Sequence, residues 1–178
     1  MFIYATDVAE LRSIQMEPQT DTTTVTIEAS ADSVWRLLAD DFLENAAWAP
    51  GVISSAQNPA TPDGVNGSRF GGRVSEIEGL GQADVRIVDF DAPTKMLSYT
   101  LAAQNVPPFM EKIQNTWVVT AVMDGACTVS STIDITIASS APESENISKA
   151  INGMFGQIAA AMVALKTYVE ANPEFGKN

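Results

Sequence analysis

Three side chains have types and spacing that could do chemistry in a protein interior. Arg69 and Arg73 lie four residues apart in a run that alternates like a strand, and Tyr99 shares the parity of Leu97, Leu101 and Ala103. An arginine turned inward would demand a carboxylate or a ligand anion, because burying the charge alone is costly. Gly71 and Gly72 invite a bulge that would turn one of the two outward, so surface or rim placement is expected for these arginines. The Tyr99 ring is expected to enter the interior, with a hydroxyl satisfied by backbone or water in a solid core, or facing a ligand cavity. No residue set announces a reaction, and no catalytic residue is assigned.

What the chain lacks narrows the chemistry further. It has no histidine and a single cysteine, Cys127. An intramolecular disulfide, a multi-thiolate metal centre and a serine–histidine triad are thereby excluded, and no metal or cofactor is expected. Cys127 reads as a small hydrophobe with no basic neighbour to lower its pKa. The 178 residues are 46% hydrophobic and 18% charged, enough apolar material for one domain with a core. With 22 acidic against 10 basic residues the net charge is −12, which repels a phosphate backbone, so nucleic acid is not an expected partner. The chain shows neither a secretory signal pattern nor an apolar run long enough to span a bilayer, and is expected to be cytoplasmic.

The elements that must position these residues can be read from periodicity. Thr22 to Glu28 alternates with β-branched density and predicts a strand. Ser30 can cap a helix from Ala31 to Ala39 that buries Val34, Leu37 and Leu38, and a second short helix is expected from Asp41 to Trp48. Further strands are predicted at 52–57, 67–77, 82–90, 95–103, 114–123 and 127–138, separated by close turns that make an antiparallel meander. In the last of these Val129, Ser131, Ile133, Ile135 and Ile137 alternate against polar residues, so one face is core. Ser140 and Glu143 have the spacing of a capping box, with Pro142 tolerated in the first turn. A long helix follows, with Ile147, Ile151, Met154, Phe155, Ile158, Met162, Leu165 and Val169 at helical spacing. Laid across the sheet, it can enclose a cavity. Met154, Phe155, Ile158 and Met162 are expected over the cavity centre, and Gly153 and Gly156 suggest close backbone approach or room for a ligand, with plain tolerance of the glycines as the alternative.

This order of elements resembles the START-related helix-grip superfamily, which includes polyketide cyclase/dehydrases and lipid-transfer-like proteins. Residues 26–40 are similar to its opening strand and helix, 48–52 to its next landmark, Asn66-Gly67-Ser68-Arg69 to the start of its third strand, and Leu97-Ser98-Tyr99-Thr100-Leu101 to its fifth. The resemblance implies an α+β fold in which a curved seven-stranded antiparallel sheet wraps a long C-terminal helix. It implies an N-terminal extension over 1–21, the ligand-binding domain over 22–172 and a tail over 173–178. Glu78-Gly79-Leu80-Gly81 occupies the position of the loop that covers the cavity mouth in ligand-gated relatives, although a plain hairpin turn is the simpler reading. Some relatives place an acid facing the cavity early in the fourth strand. Here Ala83 takes the inward parity with Asp84 beside it, and Glu76 and Glu78 read as solvated rim charges.

The expected ligand-binding set is Tyr99, Leu97, Leu101, Arg69, Val85 and Ile133 from the strands, with Met154, Phe155, Ile158 and Met162 from the helix. Trp35 and Trp48 read as packing residues that could border the entrance. Trp117 could face inward to shape the pocket, or outward with Val119 and Met123 as an apolar patch suited to a homodimer. The expected function is binding or transport of a small hydrophobic molecule. A cyclase or dehydratase acting in the same cavity and a chaperone-regulator-like interaction module are the alternatives. Lacking histidine and a buried acid/base pair, the chain favours binding over catalysis. Its acidity carries a consequence of its own: as pH falls toward the pI of about 4.2, the net charge that separates molecules vanishes. Light scattering should rise there, and a flat trace from pH 7 to pH 4 would contradict this.

Overall fold

The structure, a computed structural model, describes residues 18–141, 145–172 and 174–175. The chain runs β1 (Gln19–Ile27), α1 (Ala31–Ala39), a 3₁₀ turn (Phe42–Ala47), β2 (Val52–Gln57), β3 (Gly72–Ile77), β4 (Gly81–Asp91), β5 (Met96–Ala103), β6 (Met110–Met123), β7 (Ala126–Ile137) and α2 (Glu145–Ala171). Every neighbouring pair of strands is antiparallel, and the open sheet has the order β1-β7-β6-β5-β4-β3-β2. With the two short helical segments after the first strand and the long helix at the end, this is the α+β helix-grip fold.

Local sequence explains most of these elements. In β7 each odd-numbered residue from Cys127 to Ile137 is buried and each even-numbered one is half-exposed, as period-2 patterning requires. α1 starts where the Ser30 hydroxyl accepts a hydrogen bond from the Ser33 amide at 3.1 Å, satisfying one of the free donors of the first turn. Two strand starts depart from expectation. β3 begins at Gly72 rather than near residue 67, because the preceding loop folds back tightly. A Cβ on Gly71 would lie 2.1 Å from the Asp63 carbonyl oxygen, and one on Gly72 would lie 2.3 Å from that of Val85. Only glycine fits at either place. β6 begins at Met110, earlier than expected, where Met110 pairs with Ile137 and joins the core. Glu143 of the expected capping box, most of the 1–21 extension and most of the 173–178 tail lie outside the described residues.

The interior is divided among three apolar clusters. One joins α1 and the C-terminal half of α2 to β1, β6 and β7 through Val34, Leu37, Val129, Met162, Leu165 and Val169. A second joins the N-terminal half of α2 to β6 and β7 through Ile113, Ile133, Ile135, Ile151 and Met154. The third gathers Phe42, Val85, Ile87, Phe90 and Leu97 near the end of α1. Partly buried side chains bridge them: Ile158 touches the first and second, Tyr99 the first and third, Leu101 the second and third.

Gly153 and Gly156 lie on the exposed face of α2, and a Cβ at either would meet nothing within 4 Å. This corrects the expectation of close approach or ligand room at these positions. The two sides of α2 should therefore respond oppositely to substitution. Gly156→Ala should raise stability by about 1 kcal/mol, whereas Leu165→Ala, at a fully buried position, should lower it by about 2–5 kcal/mol. Urea unfolding of the two variants checks both signs.

Candidate functional site

Between the three clusters the sheet and α2 leave a cavity of about 130 Å³. The strands contribute Val52, Arg73, Ser75, Ile77, Val85, Leu97, Tyr99, Leu101 and Trp117, and α2 contributes Met154, Gln157, Ile158 and Ala161. The end of α1 and the turn after it close a third side with Leu37, Leu38, Asp41, Phe42, Asn45 and Trp48. The helix residues fall at i, i+3, i+4 and i+7, one face of a helix.

Of the residues expected to bind ligand, Tyr99, Leu97, Leu101, Val85, Met154 and Ile158 line this cavity. Four others do not. Ile133 and Met162 are buried in the second and first clusters. Phe155 is about 100° round the helix from Met154 and packs partly buried against the second cluster. Arg69 lies before β3, exposed, with its guanidinium 5.0 Å from the Phe70 ring centroid. In the 78–81 turn, Gly79 and Gly81 adopt φ of 79° and 71°, and neither lines the cavity, whereas Leu80 does. Ala83 is fully buried; Asp84 instead accepts hydrogen bonds from Asn58 at 2.7 Å and from Arg86, which holds its carboxyl below the usual range.

Arg73 overturns the expectation of rim placement. Starting the strand at Gly72 turns its side chain inward, where the residue is only 9% exposed. Its guanidinium stacks 4.1 Å from the Phe42 ring centroid and 5.8 Å from that of Tyr99, and Nη1 donates to the Phe42 carbonyl at 2.6 Å. No carboxylate pairs with it among the described residues. Desolvation pushes its pKa down to about 10, opposed by the nearby Tyr99, so it remains cationic at neutral pH.

Tyr99, beside this charge, is itself tied into a polar chain. Tyr99 Oη accepts from Asn115 Nδ2 at 3.3 Å, and Asn115 Oδ1 accepts from Ser131 Oγ at 2.7 Å. Trp117 faces inward, edge-on to Trp48 with centroids 6.0 Å apart. Because Val119 is buried on the same face, the outward patch of Trp117, Val119 and Met123 does not exist; only Met123 is exposed. The Cys127 thiol is buried, and desolvation raises its pKa to about 11, so it is no nucleophile at neutral pH. Sequence reasoning did not single out Asn45, Asn115 or Gln157, and short irregular turns and polar residues on apolar strands give no periodic signal for them.

The sequence profile of the family described as polyketide cyclase / dehydrase and lipid transport matches residues 19–170. The chain belongs to this family. Among solved structures, it is similar to an uncharacterised protein from Bacillus thuringiensis, at TM-score 0.66 and 19% identity over 86% of this chain and 100% of that one. It is also similar to the Zhui aromatase/cyclase from Streptomyces sp. R1128, at TM-score 0.66 and 15% identity over 85% and 93%. A START superfamily protein from Mycobacterium smegmatis aligns at TM-score 0.58 and 12% identity over 84% and 97%. At these identities the structures share the fold alone. Among curated proteins no sequence matches. No helix among the described residues is long and apolar enough to cross a membrane.

Within this family member the buried guanidinium has a definite thermodynamic sign. Its folded pKa lies below the ordinary guanidinium value, so the native state holds that proton less tightly than the unfolded chain does. At neutral pH the ionised side chain therefore opposes folding, and the penalty eases only as pH climbs above about 10. Exchange for an apolar chain of similar length should then leave stability unchanged or improved. Arg73→Met should unfold in urea no more than about 1 kcal/mol below the parent. A loss of several kcal/mol would mean that the Phe42 contacts outweigh desolvation.

Proposed function

We propose that this chain binds a small hydrophobic molecule in the cavity between its sheet and α2. The observation that carries this reading is the gap among three apolar clusters, lined mainly by Leu, Val, Ile, Met and aromatic side chains. An apolar molecule seated between these walls would gain dispersion contacts with each of them. Its size supports a modest occupant, since a dry cavity of about 150 Å³ takes up benzene. About 130 Å³ accordingly suits a molecule with one ring or a short branched chain.

A second reading, a cyclase- or dehydratase-type enzyme, is favoured by one observation. Arg73 and Tyr99 bring a cation and a phenol to the same wall, and the phenol is oriented by Asn115. Such a pair could assist proton transfer in a substrate held beside it. The family description and the name of the Zhui aromatase/cyclase make the reading relevant, but the chain has no histidine, the commonest general base.

An environment-sensitive apolar dye should bind the folded parent saturably, and native mass spectrometry of the purified protein should reveal any retained molecule. Ile158→Trp should abolish dye binding with little change in melting temperature, because the larger ring fills ligand volume. In a packed core the same change would destabilise by about 1–3 kcal/mol. Strong destabilisation together with no dye binding in the parent would reject the cavity reading.

A further inference from the structure

We propose that the cavity takes a small carboxylic acid, with its ring or branched chain in the apolar space and its carboxylate on the Arg73 guanidinium. The inference rests on the binding reading above and adds the chemical class of the ligand. Three observations carry it.

The first is a buried charge that no carboxylate pairs with among the described residues. A guanidinium offers five donors in a planar fork, and here one hydrogen bond, to the Phe42 carbonyl, is made by Nη1 while buried Nε has no partner. A buried cation is ordinarily paired. Asp41, the one carboxylate in the lining, forms no ion pair with it. A ligand carboxylate would supply both the counter-charge and two acceptors in the geometry that the fork prefers.

The second is where unsatisfied polar atoms gather. Among the described residues, five buried side-chain atoms lack a partner: Asn45 Oδ1, Trp48 Nε1, Thr61 Oγ1, Arg73 Nε and Trp117 Nε1. All except Thr61 belong to residues that line the cavity. Native interiors leave few such atoms, and their gathering in residues around one cavity makes its wall rich in polar atoms, mostly donors, with hydrogen-bonding capacity to spare. Three of these four are N–H donors, and an acceptor-only group answers that excess. A ligand amine would leave the donors unanswered and set a second cation beside Arg73.

The third is scale and field. The enclosed volume of about 130 Å³ matches about one ring or a short branched chain. The chain's net charge of −12 repels anions at a distance, so any preference for an acid over a neutral molecule of equal size must come from the local Arg73 site.

The test compares benzoate, benzyl alcohol and benzylamine, similar in size and differing in charge, by titration calorimetry on the full chain at pH 7. Benzoate should bind at least about tenfold more tightly than benzyl alcohol, and benzylamine most weakly. Within Arg73→Met and within Arg73→Gln, benzoate should lose its advantage over benzyl alcohol, the two affinities falling within about threefold of each other. Trp48→Phe keeps the ring and removes one donor, and should weaken benzoate selectively; with the parent ranking, it serves if the arginine variants fail to fold. If the dye and benzyl alcohol bind but benzoate gains nothing, or benzylamine binds best, the acid proposal falls and the apolar cavity stands. An advantage for benzoate that survives loss of Arg73 also overturns it. If neither the dye nor any probe binds, both readings fall.

Discussion

The structure depends on how α2 is held against a curved sheet. Ile151 and Met154 bury the N-terminal half of its stripe, and Met162, Leu165 and Val169 bury the C-terminal half. Between them Ile158 is only partly buried, and it faces the cavity. The helix is therefore seated on either side of Ile158, and the stretch between the two seats borders the cavity. Burial at the two seats supplies the packing energy, so the span can remain incompletely filled without loss of the fold. The cavity is thus a consequence of the architecture, and the side chains along the span decide its chemistry.

Those side chains do not simply collapse into the gap, because several of the largest are tied elsewhere. Tyr99 is held by Asn115, Arg73 is stacked on Phe42 and bonded to its carbonyl, and Trp117 packs edge-on to Trp48. Each tie uses a rigid or planar group whose rotation would break a hydrogen bond or a ring contact. An apolar gap lined only by flexible chains would shrink by rotamer changes. Here the aromatic and polar members hold the walls apart, so the side chains that give the site its polarity also preserve its volume.

Much of the fold was legible because it rests on simple periods. The alternation of β7, the Ser30 cap and the α2 stripe each carry strong local signals, and their order pointed to the helix-grip arrangement. The site was legible only where parity was unambiguous, as for Leu97, Tyr99 and Leu101. Arg73 was misjudged because its direction depends on where β3 starts. That start is set by the contacts of Gly71 and Gly72 with distant backbone, which no local pattern encodes. Trp117 stood on a strand with apolar residues on both faces, so its direction waited on pairing with β5 and β7. The α2 stripe is broad enough to face either seat or span, and tertiary packing alone separates Met154 from Phe155 and Met162.

The charge on Arg73 is what distinguishes this interior from a merely underpacked one. A void can persist through drift, because losing a methyl group or two costs only part of a protein's stability margin. A buried guanidinium without a counter-ion is different, since many apolar substitutions would remove its desolvation cost at once. Its position against Phe42 and Tyr99, at the wall of the cavity, places that cost where an incoming molecule could offset it. Stability sacrificed at one residue beside a space of ligand size is the pattern expected when a site is kept for binding, and it joins the apolar gap and the misfit charge in a single explanation.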